Sequence, residues 1–188
     1  MNSRELRDLT ISVVVLAFAF TIAFKLNFLM ALVIIIFSFA FHELAHKYMA
    51  QKYGCFAEFR MWPLGVVLAL LSSFTGIIFA APGATYISPY THKKFAFSIA
   101  HLTKKEYGKI SLSGPIVNIV VGTVALILLI AYHLSFFSDL SQISFFLAFF
   151  NLLPIFPLDG SKVMDWNIKI WLTAFAISLI GLISLSLI

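Results

Sequence analysis

A pentapeptide in the first third of the chain has the residue types and the spacing of a metal site. His42, Glu43 and His46 form the pattern H-E-x-x-H. Residues four apart on a helix lie one turn above each other, so both imidazoles can reach one zinc ion. Glu43, rotated by about 100° on the same helix, can hold a water molecule beside that ion. The two histidines are therefore candidate metal ligands, and the glutamate is a candidate general base.

The surroundings of this motif distinguish it from a chance match in a soluble helix. The residues from Phe28 to Phe41 are apolar except for Ser38. Burying two histidines and a glutamate at the end of such a run costs on the order of several kcal/mol unless a metal ion or another partner satisfies them. The context therefore favours one zinc ion per chain, bound near the end of a membrane-embedded helix.

The composition of the whole chain is that of a membrane protein. Of its 188 residues, 61% are hydrophobic and 11% are charged, which excludes an ordinary soluble domain and a disordered chain. The single cysteine, Cys55, excludes an intrachain disulfide and a cysteine-rich zinc site. The basic residues behind the net charge of +5 lie at the ends of apolar runs. We interpret them as topology signals and expect no nucleic-acid partner.

Hydrophobic patterning predicts a membrane all-α fold in a single domain over residues 1–188. We expect a polytopic helical bundle of about five to six membrane segments, with a small β-hairpin or sheet at the cytoplasmic face. The helix with the motif is predicted from Phe28 to Tyr53 and ends at Gly54. Alternation of period two predicts a strand from Cys55 to Trp62, followed by extended pieces at 84–88 and 95–100 with a turn at 88–91.

The remaining helices follow from apolar runs and their boundaries. We expect a retained first span from Leu9 to Phe24. Thr103 and Glu106 have the spacing of a capping box and start a helix that reaches about His133. A short loop with Asp139, a proline-broken apolar run at 143–158 and a last helix at 168–188 complete the chain.

A catalytic zinc site has three protein ligands and one open position, and Asp159 is the best candidate for the third ligand. Each of the other candidates has an ordinary explanation as a solvated or interfacial side chain: Asp8, His92, His101, Glu106, His133 and Asp139. Asp159 instead follows a long apolar run that is interrupted by Pro154 and Pro157. Irregular backbone at membrane depth is expected only around a site or a cavity.

The distribution of charge supports the same assignment. If the apolar run from Leu64 to Ala81 crossed the membrane, His46 and Asp159 would lie at opposite faces. If the run enters and returns, every lysine and arginine except Lys25 falls on one side, as the positive-inside rule requires. We therefore expect a multi-pass protein, of the cell membrane, with a re-entrant segment and with the site toward the cytoplasm.

Three motifs occur in a characteristic order: HELAH at 42–46, SGPIVN at 113–118 and NLLPIFPLDG at 151–160. In this combination the chain resembles the site-2 protease family of intramembrane zinc metalloproteases, over most of its helical core. The resemblance implies that His42, His46 and Asp159 bind zinc and that Glu43 is the catalytic base. It also implies that Asn151 helps to hold the scissile carbonyl or its oxyanion.

The chain departs from the family pattern in two places. Ser161 follows Asp-Gly where family members often have a second glycine, and residues 65–79 look like an apolar insertion before the usual strand hairpin. Asn118 matches a polar position of the family, but its role stays open. The resemblance is to a compact form without a PDZ domain.

The expected function is hydrolysis of peptide bonds in or near transmembrane segments of membrane-protein substrates, within the lipid bilayer. A helical substrate must unwind before attack, and the strand at 55–62 either offers an edge for pairing or only seals the mouth of the site. A transporter or ion channel and a catalytically silent binder of membrane segments are the alternatives. The sequence shows no half-chain repeat, which argues against the transporter, and the intact Glu43 argues against the silent binder.

Overall fold

The computed structural model describes residues 1–76, 78–88, 90–93, 96–99 and 102–185, with side chains described outside 90–99. The helices of these residues are α1 (Ser3–Phe24), α2 (Phe28–Ile35), α3 (Phe41–Lys52), α4 (Pro63–Ser73), α5 (Lys104–Tyr132), α6 (Ser135–Asn151), α7 (Asp159–Trp166) and α8 (Ile168–Ser184). The strands form two antiparallel pairs: β1 (Phe56–Met61) with β2 (Gly83–Ser88), and β3 (Tyr90–Lys93) with β4 (Ala96–Ile99). The mostly helical fold with a small sheet is confirmed. The turn expected at 88–91 is wrong at Tyr90 and Thr91, which lie in β3, and Pro89 lies outside the described residues.

Three stretches of helix in the described chain are long and apolar enough to cross a membrane: Ser3–Phe24, Phe28–Lys52 and Lys104–Tyr132. At about 1.5 Å per residue, Phe28–Lys52 is roughly 37 Å long, more than the about 30 Å of a hydrocarbon core. The helices α4 and α8 are shorter and also apolar. These elements indicate a membrane protein, while the bundle of five to six segments stays a prediction.

The helix that carries the H-E-x-x-H motif is interrupted. Residues Ile36–Ala40 form a π-helical turn between α2 and α3, where a continuous α-helix was expected. Ser38, which is fully buried in this turn, hydrogen-bonds to the hydroxyl of Ser144 on α6 at 2.9 Å. A π turn contains one extra residue and changes the direction of the side chains that follow it. The turn therefore sets the direction in which α3 presents His42 and His46.

The helix α6 begins earlier than expected and includes Asp139, so the prediction of a loop there was wrong. Small polar residues of this helix point into the interior of the protein. Ser141 is fully buried and donates to the carbonyl of Gly122 at 2.9 Å. Such residues allow close packing of membrane helices, and they hide the apolar periodicity by which a helix is recognised. The apolar core lies between α1, α2 and α6, around Phe20, Ile34 and Leu147.

The segment between β1 and β2 leaves the sheet and returns to it. Arg60 is the register partner of Ala84, and the N–H of Trp62 donates to the carbonyl of Pro82 at 2.8 Å. The helix between them, α4, has 11 residues and is roughly 16 Å long, too short to cross a bilayer. Because both ends of residues 63–81 meet at one ladder, the geometry agrees with the re-entrant interpretation.

We expect cysteines placed at Arg60 and Tyr86 to react from the same side of the membrane. Both side chains are exposed, and the Arg60 guanidinium lies 4.7 Å from the centre of the Tyr86 ring. Single cysteines in a Cys55→Ser background, treated with a membrane-impermeant maleimide in oriented vesicles, measure this. A cysteine at the exposed Lys25 is the control and should react from the other side. Labelling of positions 60 and 86 from opposite sides would refute the re-entrant segment.

The outer edge of β1 is covered by the start of α1. The N–H of Phe59 donates to the Glu5 carboxylate at 3.2 Å, and the N–H of Met61 donates to Asp8 at 3.5 Å. Glu5 also accepts from the Lys47 ammonium, at 2.5 and 2.6 Å. Of the two roles left open for this strand, these contacts favour sealing over pairing with a substrate, because carboxylates accept from the outward N–H groups of Phe59 and Met61.

Candidate metal centre

The structure brings His42, His46 and Asp159 together. The Nε2 atoms of the two histidines are 2.9 Å apart, and Oδ2 of Asp159 lies 3.4 Å from His42 Nε2 and 3.0 Å from His46 Nε2. Ligand atoms of one tetrahedral zinc ion, at bond lengths of about 2.0–2.2 Å, lie roughly 3.3 Å from each other. The three side chains therefore fit one zinc ion and leave its fourth position open. Among the histidine, cysteine, aspartate and glutamate residues that the structure describes, these three form the group whose ligand atoms lie close enough together to share one metal ion.

The hydrogen bonds of His46 fix its tautomer for metal binding. Its Nδ1 lies 2.8 Å from the carbonyl oxygen of Ile110 on α5, an atom that can only accept, so Nδ1 carries the proton. The lone pair of the ring is then on Nε2, which faces His42 and Asp159. A backbone carbonyl that orients a histidine in this way is a common outer partner in zinc sites.

The first turns of α5 approach the metal centre closely because residue 114 is a glycine. A Cβ atom at Gly114 would lie 2.6 Å from His42 Nε2 and closer still to His46 Nε2. Any other residue at this position would displace the two imidazoles. This close approach explains why the SGPIVN motif has glycine at position 114, which the sequence alone did not explain.

Asp159 reaches the histidines from the first residue of α7. The next residue, Gly160, packs so closely against the carbonyl of Leu152 at the end of α6 that a Cβ atom would overlap it. Glycine therefore permits the contact between α6 and α7 that carries Asp159 inward. On its other side, Oδ1 of Asp159 lies 3.8 Å from the Lys162 ammonium.

A cavity of about 120 Å³ lies beside the metal ligands, and Glu43 and Asn151 line it. Glu43 is 6% exposed. Asn151 donates one amide hydrogen to the carbonyl of Leu147 at 3.0 Å, which leaves its second amide hydrogen for the cavity. The structure thus places both residues that the resemblance selected at the metal centre, and their roles stay predictions.

Thr85 on β2 is a residue of this site that the sequence analysis missed. Its hydroxyl lies 2.9 Å from Oε2 of Glu43 and 3.1 Å from the Glu43 carbonyl. A hydroxyl that donates to the carboxylate holds it in one orientation. No sequence signal links the two residues, because the contact depends on how the sheet packs against α3.

The other candidate ligands lie elsewhere. Asp8 contacts β1, Glu106 closes the capping box with Thr103, and His133 follows the end of α5. The side chain of His92 and all of His101 lie outside the part of the chain that is described. Asn118 is fully buried, and its amide has no hydrogen-bond partner among the described residues.

A candidate His-His-Asp metal site whose histidines lie in a membrane-length helix, with a glutamate beside it, has the residue types that a zinc metalloprotease needs, and similar proteins carry that name. The "Putative zinc metalloprotease MJ0611" of Methanocaldococcus jannaschii is 41% identical over 180 residues, which are 90% of this chain and 88% of that protein. The "Putative zinc metalloprotease YwhC" of Bacillus subtilis is 28% identical over 146 residues, 70% of this chain and 65% of that protein. The chain therefore belongs to the zinc metalloprotease family, and zinc is its cofactor.

A more distant relative is the "Zinc metalloprotease MJ0392" of Methanocaldococcus jannaschii. It is 26% identical over 138 residues, 70% of this chain and 32% of that protein. No family model matches the chain, and no solved structure matches it.

Proposed function

We propose that the chain is an intramembrane protease of the site-2 type, which hydrolyses peptide bonds in or near transmembrane segments of membrane-protein substrates. The observation that carries the proposal is the position of the metal ligands. His42 and His46 lie in the last turns of Phe28–Lys52, a helix long and apolar enough to span a bilayer, and both are buried. A transmembrane segment of a substrate can lie alongside such a helix and approach these ligands within the bilayer.

The residues around the cavity have distinct tasks in this reaction. The bound ion supplies Lewis acidity, which lowers the pKa of water and polarises a carbonyl. Glu43 accepts the proton of the attacking water and delivers it to the leaving amine. The free amide hydrogen of Asn151 donates to the oxygen on which negative charge develops. Thr85 keeps the Glu43 carboxylate facing the cavity.

An extended substrate can pair with β2 at this site. In an antiparallel ladder, successive residues direct their backbone groups alternately toward the partner strand and away from it. Phe59 and Met61 direct their N–H groups to α1, so Glu58 and Arg60 face their partners Tyr86 and Ala84. Thr85 and Ile87 then present their backbone groups at the other edge of β2, and both residues line the cavity. Strand addition there places a peptide bond beside the metal centre.

Membrane reconstitution with a single-span substrate tests the proposal. We expect the purified protein in liposomes to cleave such a substrate, and a zinc chelator to stop the cleavage. Binding of the substrate without cleavage would favour a silent binder, and metal flux across the liposome without cleavage would favour a transporter. Efficient cleavage of a soluble, unstructured peptide together with no cleavage of the membrane substrate would refute the intramembrane assignment.

Replacing Thr85 by valine should lower turnover while leaving the zinc content unchanged. Valine has the shape of threonine but cannot donate a hydrogen bond to Glu43, and a bond to a charged acceptor is worth about 1.5–3 kcal/mol, or roughly ten- to hundredfold. Thr85→Ser keeps the hydroxyl and should retain most of the activity. Measured kcat values and zinc analysis check this pair. Equal kcat for the valine and wild-type proteins would show that Glu43 needs no support from β2.

A further inference from the structure

A second cavity, separate from the one beside Glu43, lies between α3 and α5. It is a groove of about 540 Å³. Its walls are mostly apolar, and a serine, two lysines and two tyrosines complete its lining: Ala45, Met49, Leu112, Ile116, Val117, Ser113, Lys52, Lys109, Tyr48 and Tyr53. The proposed reaction uses none of these residues.

The groove lies where two candidate membrane spans begin to be apolar. Lys52 is the last residue of α3, and Lys109 is in the second turn of α5. From Lys109 to Val117 the helix advances about 12 Å toward the apolar part of the bundle. Tyr48 at the side is 70% exposed, and tyrosine is enriched at membrane–water interfaces. The groove therefore combines a polar end at the interface with an apolar floor at membrane depth.

The two lysines differ from nearby lysines in their partners. Lys47 is bound to Glu5, and Lys104 lies 3.2 Å from Asp165. Lys52 and Lys109 form no ion pair with any carboxylate in the described part of the chain. The nearest acidic residue along α5 is Glu106, whose carboxylate accepts the N–H and the hydroxyl of Thr103, at 2.8 and 2.7 Å. Glu106 also interacts electrostatically with Lys109, but its single negative charge does not cancel the two lysines. The end of the groove therefore keeps a net positive charge.

We propose that this groove binds an anionic phospholipid, with its phosphate at Lys52 and Lys109 and one acyl chain along Leu112 and Ile116. The charge at the rim complements a headgroup with a net negative charge, and basic pockets between membrane helices bind such headgroups. A zwitterionic headgroup carries its own cation and gains less from the two lysines. The proposal does not depend on proteolytic activity.

Native mass spectrometry of the purified protein in detergent tests this assignment, with phosphatidylglycerol and phosphatidylcholine as the two probes. We expect one tightly retained phosphatidylglycerol per chain and much weaker retention of phosphatidylcholine. The double variant Lys52→Gln, Lys109→Gln should bind phosphatidylglycerol about thirtyfold more weakly. The matched control Lys104→Gln, Lys105→Gln removes two charges from the first turn of α5 outside the groove and should bind as the wild type does.

A second variant tests the acyl position separately. Ile116→Trp fills the apolar wall, leaves both lysines in place and should also reduce retention of phosphatidylglycerol. Zinc content and thermal unfolding verify that each variant is folded. Undiminished binding in the lysine double variant or in Ile116→Trp, equal loss in the Lys104/Lys105 control, or equal retention of both lipids by the wild type would each overturn the proposal.

Discussion

Replacing Glu43 by glutamine should abolish peptide hydrolysis while the protein keeps its fold and its zinc. The amide has nearly the shape of the carboxylate, and it can still accept the hydrogen bond that the Thr85 hydroxyl donates at 2.9 Å. It cannot accept a proton from water, however, and general base catalysis contributes about 10²–10⁴-fold to a rate. We therefore expect kcat to fall by at least about a hundredfold, with one zinc per chain retained.

Cleavage of a single-span substrate and metal analysis of the same preparation measure both parts of this expectation. Glu58→Gln is a matched control, because Glu58 is also buried but contacts Asn2 and Arg60 rather than the metal centre. Cleavage by the Glu43→Gln protein at the wild-type rate would assign Glu43 a structural role. Loss of zinc from that protein would show instead that the carboxylate supports the ligands.

Replacing Asp159 by alanine should remove most of the bound zinc. The change takes away one of three ligands and leaves two imidazoles whose Nε2 atoms are 2.9 Å apart. Even the loss of a group that only orients a ligand reduces metal affinity about 10–100-fold, so the loss of the ligand itself should exceed that range. Titration with a competing chelator measures the affinity.

Asp165→Ala provides the control on the same helix. Asp165 lies on α7 with Asp159, but its side chain is 64% exposed and pairs with Lys104. It should bind zinc as the wild type does, and so should Asp139→Ala on α6. Equal zinc affinity in the Asp159→Ala and wild-type proteins would exclude Asp159 as a ligand.

Much of this arrangement could be predicted from the sequence because it depends on local patterns. The apolar runs predicted the long helices, and the capping box at Thr103 and Glu106 placed the start of α5, as observed. The ligand spacing on α3 is a property of one helix. Asp159 was selected because an acidic residue after a long apolar run needs a partner, and the structure places it beside the two histidines.

The features that were missed depend on contacts between elements. The π-helical turn before α3 has no sequence signature, because its hydrogen bond between Ser38 and Ser144 joins residues far apart in the chain. The contact of Thr85 with Glu43 requires the packing of β2 on α3. The choice between an edge and a seal for β1 stayed open for the same reason, since alternation within a strand does not reveal which neighbour covers it.

The carboxylates of α1 that cover β1 also reduce the risk of aggregation while the protein is being translated. A strand edge with unpaired N–H groups can pair with another chain and cause aggregation, and nascent chains expose such edges when they emerge from the ribosome. Here Glu5 and Asp8 precede Phe59 and Met61 by about fifty residues, so the covering side chains are made before the strand that they cover. The edge of β1 that faces α1 can therefore be covered as soon as the strand forms. This can happen before β2, which pairs with the opposite edge, has been translated.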